Sequence, residues 1–459
     1  MTTLFARDAL LPGGWARDVL LEWDERGLIT RAQPLQPQGA APLAAGPVLP
    51  GMANVHSHAF QRAMAGLAEL RGHPTDDFWT WREEMYRLVT HITPEDLEAI
   101  AGYLYVEMLE HGYTAVGEFH YLHHDRDGKP FADRTEMSNR VIGAAQSAGI
   151  ALTLMPVLYA HGGFGHKLLS PAQKRFGGDA QFVASLVSEL RGFHLPHPTL
   201  RFGVAPHSVR AVDALLLTEL VDLATQMDAT MPIHMHVSEQ TAEVADCLAT
   251  HGTTPLDWIA DLVDIDARWC FIHGTHLTQL EMRKVAASGA AVGLCPVTEA
   301  NLGDGIFEFD RWFDAGAPWC IGGDSHVSVS PFEELRALEY SQRLRLRVRN
   351  VSASEDAPDV ASNLWRQAAQ GGARTLQQGC GALEPGRRAD FVVLDGTDTD
   401  FESLGAAAML GVAMFAGNSN RVRDVFMGGE PVVTQGRHAR RDEAAAGYRA
   451  ALRRLRATP

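Results

Sequence analysis

His56 and His58 stand two residues apart in PGMANVHSH, an apolar run that reads as a strand. Side chains at i and i+2 of a strand share a face, so two neutral imidazoles there can reach one ion at about 2.0–2.1 Å each. His236 and Glu239 follow in HMHVSE. The histidine can complete three protein ligands, and the glutamate, three residues on, reaches over the open position. Asp324, after the apolar run PWCIGG, supplies a carboxylate as ligand and base. Three His and one Asp around an exchangeable water is the arrangement that lowers the water's pKa towards ~7. His273, closing WCFIH, is expected to touch that water or the substrate rather than to act as a fourth imidazole ligand.

Positioning these side chains requires elements from across the chain. Short apolar runs alternate with longer amphipathic segments, the pattern of βα units and a parallel sheet. Eight candidate strands are PGMANVHSH, YTAVGEFHY, ALTLMPVLY, LRFGVAPHS, MPIHMHVSE, WCFIHGTHL, AAVGLCPVT and PWCIGGDSH. Their carboxyl ends carry the metal-type residues on strands one, five, six and eight, and in a (β/α)8 barrel that end builds the active site. Both termini instead alternate apolar and polar residues with Gly at the bends. The expected fold is therefore α/β, a distorted (β/α)8 TIM barrel with a small β-sandwich domain built from both chain ends. Residues 1–49 and 381–437 would form the sandwich, 50–380 the barrel and 438–459 a surface helix.

Several residues carry a plainer reading. His234 shares a face with His236 but lies one layer lower, as a hydrogen-bonded core histidine. His276 and His326 read as loop residues, and His120, His123 and His124 with Asp125 as a solvated loop. Trp79 and Trp81 read as packing residues. The chain of 459 residues has 40 Lys and Arg against 56 Asp and Glu, a net charge of −16. Such a surface disfavours nucleic acid and anionic membrane, which bind through basic patches. Five scattered Cys, never in a CxxC pair, argue for reduced thiols in a cytoplasm. MTTLFARDALLPGGW interrupts any apolar run with Arg7 and Asp8 and does not read as a signal peptide.

The ordered set PGMANVHSH, HMHVSE, FIHGTHL and CIGGDSH, with GRRADFVVLD near the end, resembles the amidohydrolase superfamily in its mononuclear deaminase branch. HSHAFQRAMAGL, APHSVRAV, CPVTEANLGDG and GGDSHVSVSPFEELR are closer still to the N-formimidoyl-L-glutamate deiminases of histidine degradation. The resemblance covers essentially the whole chain. It implies a cytoplasmic homodimer with one Zn2+ per chain on His56, His58, His236 and Asp324, a donor set that also accepts Fe2+. It implies catalytic roles for Glu239, His273 and Asp324, and substrate contacts from Gln61, Arg82, Tyr121, His207 and Arg210. Binuclear relatives use a carboxylated Lys after strand four. Here strand four ends APHS, and none of only four Lys follows a candidate strand.

The implied substrate, N-formimidoyl-L-glutamate, carries two carboxylates, which the bidentate fork of Arg suits. Arg82 and Arg210 are the candidates. Arg82 could instead pair along its own helix, and Gln61 and Tyr121 could serve loop capping and packing. The alternative within the branch is a deaminase of guanine, cytosine or an aminotriazine-like ring. A catalytically dead barrel acting as a scaffold is the third reading, and the intact set of metal-type residues argues against it.

Overall fold

The eight apolar runs form parallel strands at Met52–Ser57, Tyr113–His120, Ala151–Leu158, Leu200–Phe202 continuing as Ala205–Pro206, Ile233–Val237, Trp269–His273, Ala291–Leu294 and Trp319–Ile321. The structure is a computed structural model and describes residues 2–69 and 78–457, the side chains of Phe78 and Trp79 excepted. Trp79, expected to pack, therefore lies outside the described side chains. Nearly every strand residue is buried, because helices cover one face while side chains fill the other. That is why these strands read as continuous apolar runs rather than alternating ones.

Strand one pairs with both strand two and strand eight, through Ala53–Ala115 and Asn54–Ile321. Strands four and five close the ring through single bridges, Val204 to Ile233 and Ser208 to His236. The distortion expected of the barrel lies here, where strand four breaks at Gly203. A side chain at Gly203 would meet the Pro232 carbonyl at 2.8 Å. Helices between the strands begin with short polar caps. Thr93 with Asp96 and Thr278 with Glu281 form reciprocal capping boxes.

The helix Val360–Thr375 and the turn after it seal the amino-terminal end of the barrel. Thr153 Oγ1 donates to the Leu376 carbonyl at 2.7 Å, and Gln378 Nε2 donates to the Leu152 carbonyl at 3.1 Å. His234 points to this end, its Nε2 3.5 Å from the Thr375 carbonyl. It is the core histidine that its layer implied.

Residues from both ends of the chain make one eight-stranded sheet. Its order is Arg437–His438, Glu430–Thr434, Val422–Met427, Phe391–Leu394, Val48–Pro50, Thr2–Leu11, Gly14–Trp23 and Ile29–Gln33. The sheet coils until its far strands meet its middle: the Ile29 N–H donates to the Arg387 carbonyl at 2.7 Å. Gly429 lies against the Trp23 indole, where any side chain would collide. Trp23, Phe391, Val19, Leu21 and Val393 fill the space enclosed. Both layers of the expected sandwich thus belong to one continuous sheet. The helix Arg441–Ala457 buries Ala451 and Leu455 and stacks Tyr448 on Tyr103 with ring centroids 4.4 Å apart.

The close approach of helix Val360–Thr375 to strand eight depends on Gly371, whose added Cβ would sit 1.9 Å from the Trp319 carbonyl oxygen. Gly102, inside helix Pro94–Glu110, has nothing within 4 Å of an added Cβ. Gly371→Ala is expected to destabilise by about 1–3 kcal/mol through overpacking. Gly102→Ala should stabilise by up to about 1 kcal/mol through helix propensity. Thermal melts of the two variants beside wild type check both signs.

Candidate active site

Strand one presents His56 and His58 on one face, with ring centroids 4.6 Å apart. Strand five brings His236 beside them, its Nε2 3.0 Å from His56 Nε2. Asp324, just after strand eight, places Oδ1 3.4 Å from His56 Nε2 and 3.3 Å from His58 Nε2. All four residues are buried. His58 Nδ1–H donates to the Phe119 carbonyl at 3.0 Å and His236 Nδ1–H to the His207 carbonyl at 2.9 Å. A carbonyl can only accept, so both rings turn a lone pair at Nε2 towards the shared centre.

These rings resist the second proton that would charge them. Burial, then the neighbouring His56, pushes His58 down to about 3, and burial first of all drives His56 and His236 well below the ordinary histidine value. Donors each 2.0–2.1 Å from a tetrahedral ion stand about 3.3 Å apart. The 3.0–3.4 Å separations here match that spacing. The donor set fits a divalent metal ion.

Strands one and eight are stitched together around this centre. The Gly323 and Asp324 N–H groups donate to the His56 carbonyl, and the His58 N–H donates to the Asp324 carbonyl. A side chain at Gly322 would meet His56 Cβ at 2.7 Å, which explains the Gly-Gly before the aspartate. Asn54 Oδ1 accepts from the His56 and Gly323 N–H groups. Asp324 and His273 hold positive φ, at 50° and 67°, a backbone cost that clusters at functional sites.

Glu118, on strand two, braces the same segment from behind. Its carboxylate accepts from Ser57 Oγ at 2.6 Å, the Ala59 N–H at 2.7 Å and Tyr105 Oη at 3.0 Å. Burial drives this carboxyl up to about 7 despite those three bonds. Ser57 Oγ also meets His326 Nε2 at 2.9 Å. His326, expected in a loop, is therefore a buried part of this brace.

On the other side of this donor cluster, Glu239 Oε1 lies 3.8 Å from His273 Nε2, and Asp324 Oδ2 lies 3.9 Å from it. His273 Nδ1–H donates to Glu299 Oε1 at 3.2 Å. Burial alone would discharge this imidazole. Glu239, the hydrogen-bonded Glu299 and Asp324 outweigh it and raise His273 to about 10. Glu299 also accepts the Cys295 N–H at 2.8 Å. Glu299 lies in CPVTEANLGDG, yet nothing in its spacing announced a partner 26 residues back.

A cavity of about 490 Å³ opens over these groups, and every residue expected to touch substrate lines it: Gln61, Arg82, Tyr121, His207 and Arg210. Gln61 Nε2 donates to Tyr121 Oη at 2.9 Å, so those two form one polar edge. Arg210 is buried, with Nη1 3.2 Å from Glu243 and Nη2 3.6 Å from Glu239. Arg82 lies over the Tyr86 ring at 5.5 Å, and Glu84 on the same helix pairs with Arg87. Trp81 both packs on the core and lines the cavity. Tyr86 and Tyr159 also line it, their hydroxyls bonded to Gln173 Nε2 at 3.1 and 3.0 Å. Tyr159 directly follows strand three, a positional signal that sequence reading left without a role.

The solvated loop expected at His120, His123 and His124 is a buried layer instead. His123 Nε2 donates to the Val157 carbonyl and His124 Nε2 to the Gly177 carbonyl. The segment Gln173–Phe176 folds over them, and sequence spacing does not reveal a lid contributed 50 residues later.

The sequence profile of the amidohydrolase family matches residues 48–432. The chain belongs to the amidohydrolase family. Among curated amidohydrolase relatives, it is 48% identical over 448 residues to a formimidoylglutamate deiminase of Pseudomonas aeruginosa, with 98% of each chain covered. A 5-methylthioadenosine/S-adenosylhomocysteine deaminase of Natronomonas pharaonis is 29% identical over 88% of this chain and 85% of its own. The crystal structure of an amidohydrolase from Brucella melitensis superposes with a TM-score of 0.91 at 44% identity, covering 99% of this chain and all of that one.

Glu118→Ala would strand three buried donors at once. The expected result is a loss of about 2–3 kcal/mol in stability and a 10- to 100-fold weaker hold on the metal. Denaturant unfolding and competition with a chelator measure the two effects.

Proposed function

We propose that this chain is a formimidoylglutamate deiminase that hydrolyses N-formimidoyl-L-glutamate to N-formyl-L-glutamate and ammonia in histidine degradation. The observation that carries the proposal is the 48% identity, across 98% of both chains, to a formimidoylglutamate deiminase. Support from the site comes from two arginines lining the same cavity as the metal-type cluster. One Zn2+ per chain would sit on His56, His58, His236 and Asp324, and Fe2+ suits the same donors. When bound, such an ion supplies Lewis acidity and a water ionised near neutral pH.

The remaining work falls to side chains. Asp324 takes the proton of the attacking water and later passes it to the departing nitrogen. Glu239, whose oxygens face Arg210 Nη2 and His273 Nε2, moves a proton to or from the imino nitrogen. His273, kept cationic by Glu299 and its other acidic neighbours, donates a hydrogen bond to the attacking oxygen as charge develops there. Arg82 and Arg210 hold the two substrate carboxylates, with Gln61, Tyr121 and His207 completing the polar contacts. Glu239 and Glu243 flank Arg210, so a substrate carboxylate there is held by directed hydrogen bonds from the guanidinium rather than by net positive charge.

The family resemblance supports a homodimer. All five cysteines are buried free thiols, which suits a reducing cytoplasm. Among the described residues, no helix is long and apolar enough to cross a membrane.

Glu239→Gln should keep the wild-type metal content while kcat for formimidoylglutamate falls at least 10²-fold. Near-wild-type turnover would remove Glu239 from proton transfer. Arg82→Met and Arg210→Met should each lower kcat/KM by about 10- to 100-fold, the cost of losing a charge-assisted bond. If both retain wild-type kcat/KM, the carboxylate assignment fails. Ammonia release from guanine or cytosine, with none from formimidoylglutamate, would move the function to ring deamination.

A further inference from the structure

Away from the active site, the described residues bring one other set of metal-type donors within reach of each other: His161, His166 and Asp213. We propose that these three form a second site for a divalent first-row transition ion such as Zn2+, on the outer side of the loop that presents His207 and Arg210. Two imidazoles and a carboxylate are a donor set that such ions prefer to Mg2+ or Ca2+.

Asp213 divides its two oxygens. Oδ1 accepts the Leu216 N–H at 2.9 Å and caps the helix Ala214–Met227. Oδ2 faces His161 Nε2 at 3.0 Å and His166 Nδ1 at 3.8 Å. The longer distance is no hydrogen bond, yet it is close to the spacing of two donors about a common ion. The two rings lie 4.5 Å apart and tilted, and all three donor atoms fall within 4.8 Å of one another.

The backbone is shaped to bring them together. The Gly162 N–H donates to the Lys167 carbonyl and the Lys167 N–H to the Gly163 carbonyl, closing a tight loop. His166 sits in that loop at a φ of +58°, in the left-handed region that histidine enters more readily than most residues. The His161 N–H donates to the Ala211 carbonyl at 2.9 Å, tying the loop to the segment that carries Arg210. Arg210 itself lines both the active-site cavity and the cavity of about 720 Å³ into which His161, His166 and Asp213 face. With 68% of the His166 side chain exposed, the ion has direct access and the ring has room to adjust.

A helix N-terminus repels a cation, so the site needs an ionised Asp213. Burial works against that charge. The Leu216 N–H and His161 outweigh it and hold the carboxyl below its ordinary range.

The test uses the holoenzyme with its catalytic metal in place and loosely bound ions removed, titrated with Zn2+ by calorimetry. Wild type is expected to take up one further Zn2+ per chain. His166→Ala and Asp213→Asn should each weaken that step at least tenfold, the asparagine still capping the helix. Metal analysis before titration should find the same catalytic ion content in all three proteins, which separates this result from any failure of the active-site assignment. Absence of a saturable extra equivalent in wild type, or one of equal affinity in both variants, would overturn the proposal.

Discussion

The approach of His56 Nε2 to His236 Nε2, 3.0 Å apart with burial holding both rings well below the ordinary histidine value, is the constraint around which the barrel mouth is organised. Two imidazole nitrogens at that distance must share either a proton or a cation. The Phe119 carbonyl accepts the His58 Nδ1–H and the His207 carbonyl the His236 Nδ1–H, which aims the Nε2 lone pairs of those two rings at the shared centre. Asp324 brings a negative charge to the same centre, and the barrel's own backbone thus prepares a cation site before any ion arrives.

Holding that geometry requires strands one and eight to lie closer than side chains normally allow. Gly322 and Gly323 remove the obstruction, and backbone hydrogen bonds from residues 323, 324 and 58 fasten the two strands. Glu118, Ser57 and His326 form a buried polar brace on the far side. Both Glu118 oxygens and the Ser57 hydroxyl find partners within it, which offsets the cost of burying them.

Charge is balanced differently on the substrate side. The protein is acidic, with a net charge of −16, yet two guanidinium groups line the cavity and a histidine raised to about 10 lies beside Glu239 and Asp324 at its floor. Acidic partners sustain those local positive charges: Glu243 and Glu239 for Arg210, Glu299 for His273. A small dianion would respond to this arrangement, because charges beyond about 8–10 Å are screened by salt.

By itself the sequence determined the eight parallel strands, the carboxyl-end placement of His56, His58, His236, His273 and Asp324, and the scarcity of lysine. Those features are legible because strand burial leaves apolar runs and a period of two puts alternate side chains on one face. The tertiary structure decided which partners those residues meet. Glu118 lies 61 residues from Ser57, and Gln173 lies 87 from Tyr86; no local periodicity links such pairs. His120, His123 and His124 look polar and loop-like in the chain, and only the fold shows the segment that covers them. The curled terminal sheet is decided the same way, since its closure through Ile29, Arg387, Trp23 and Gly429 joins residues from opposite ends of the chain.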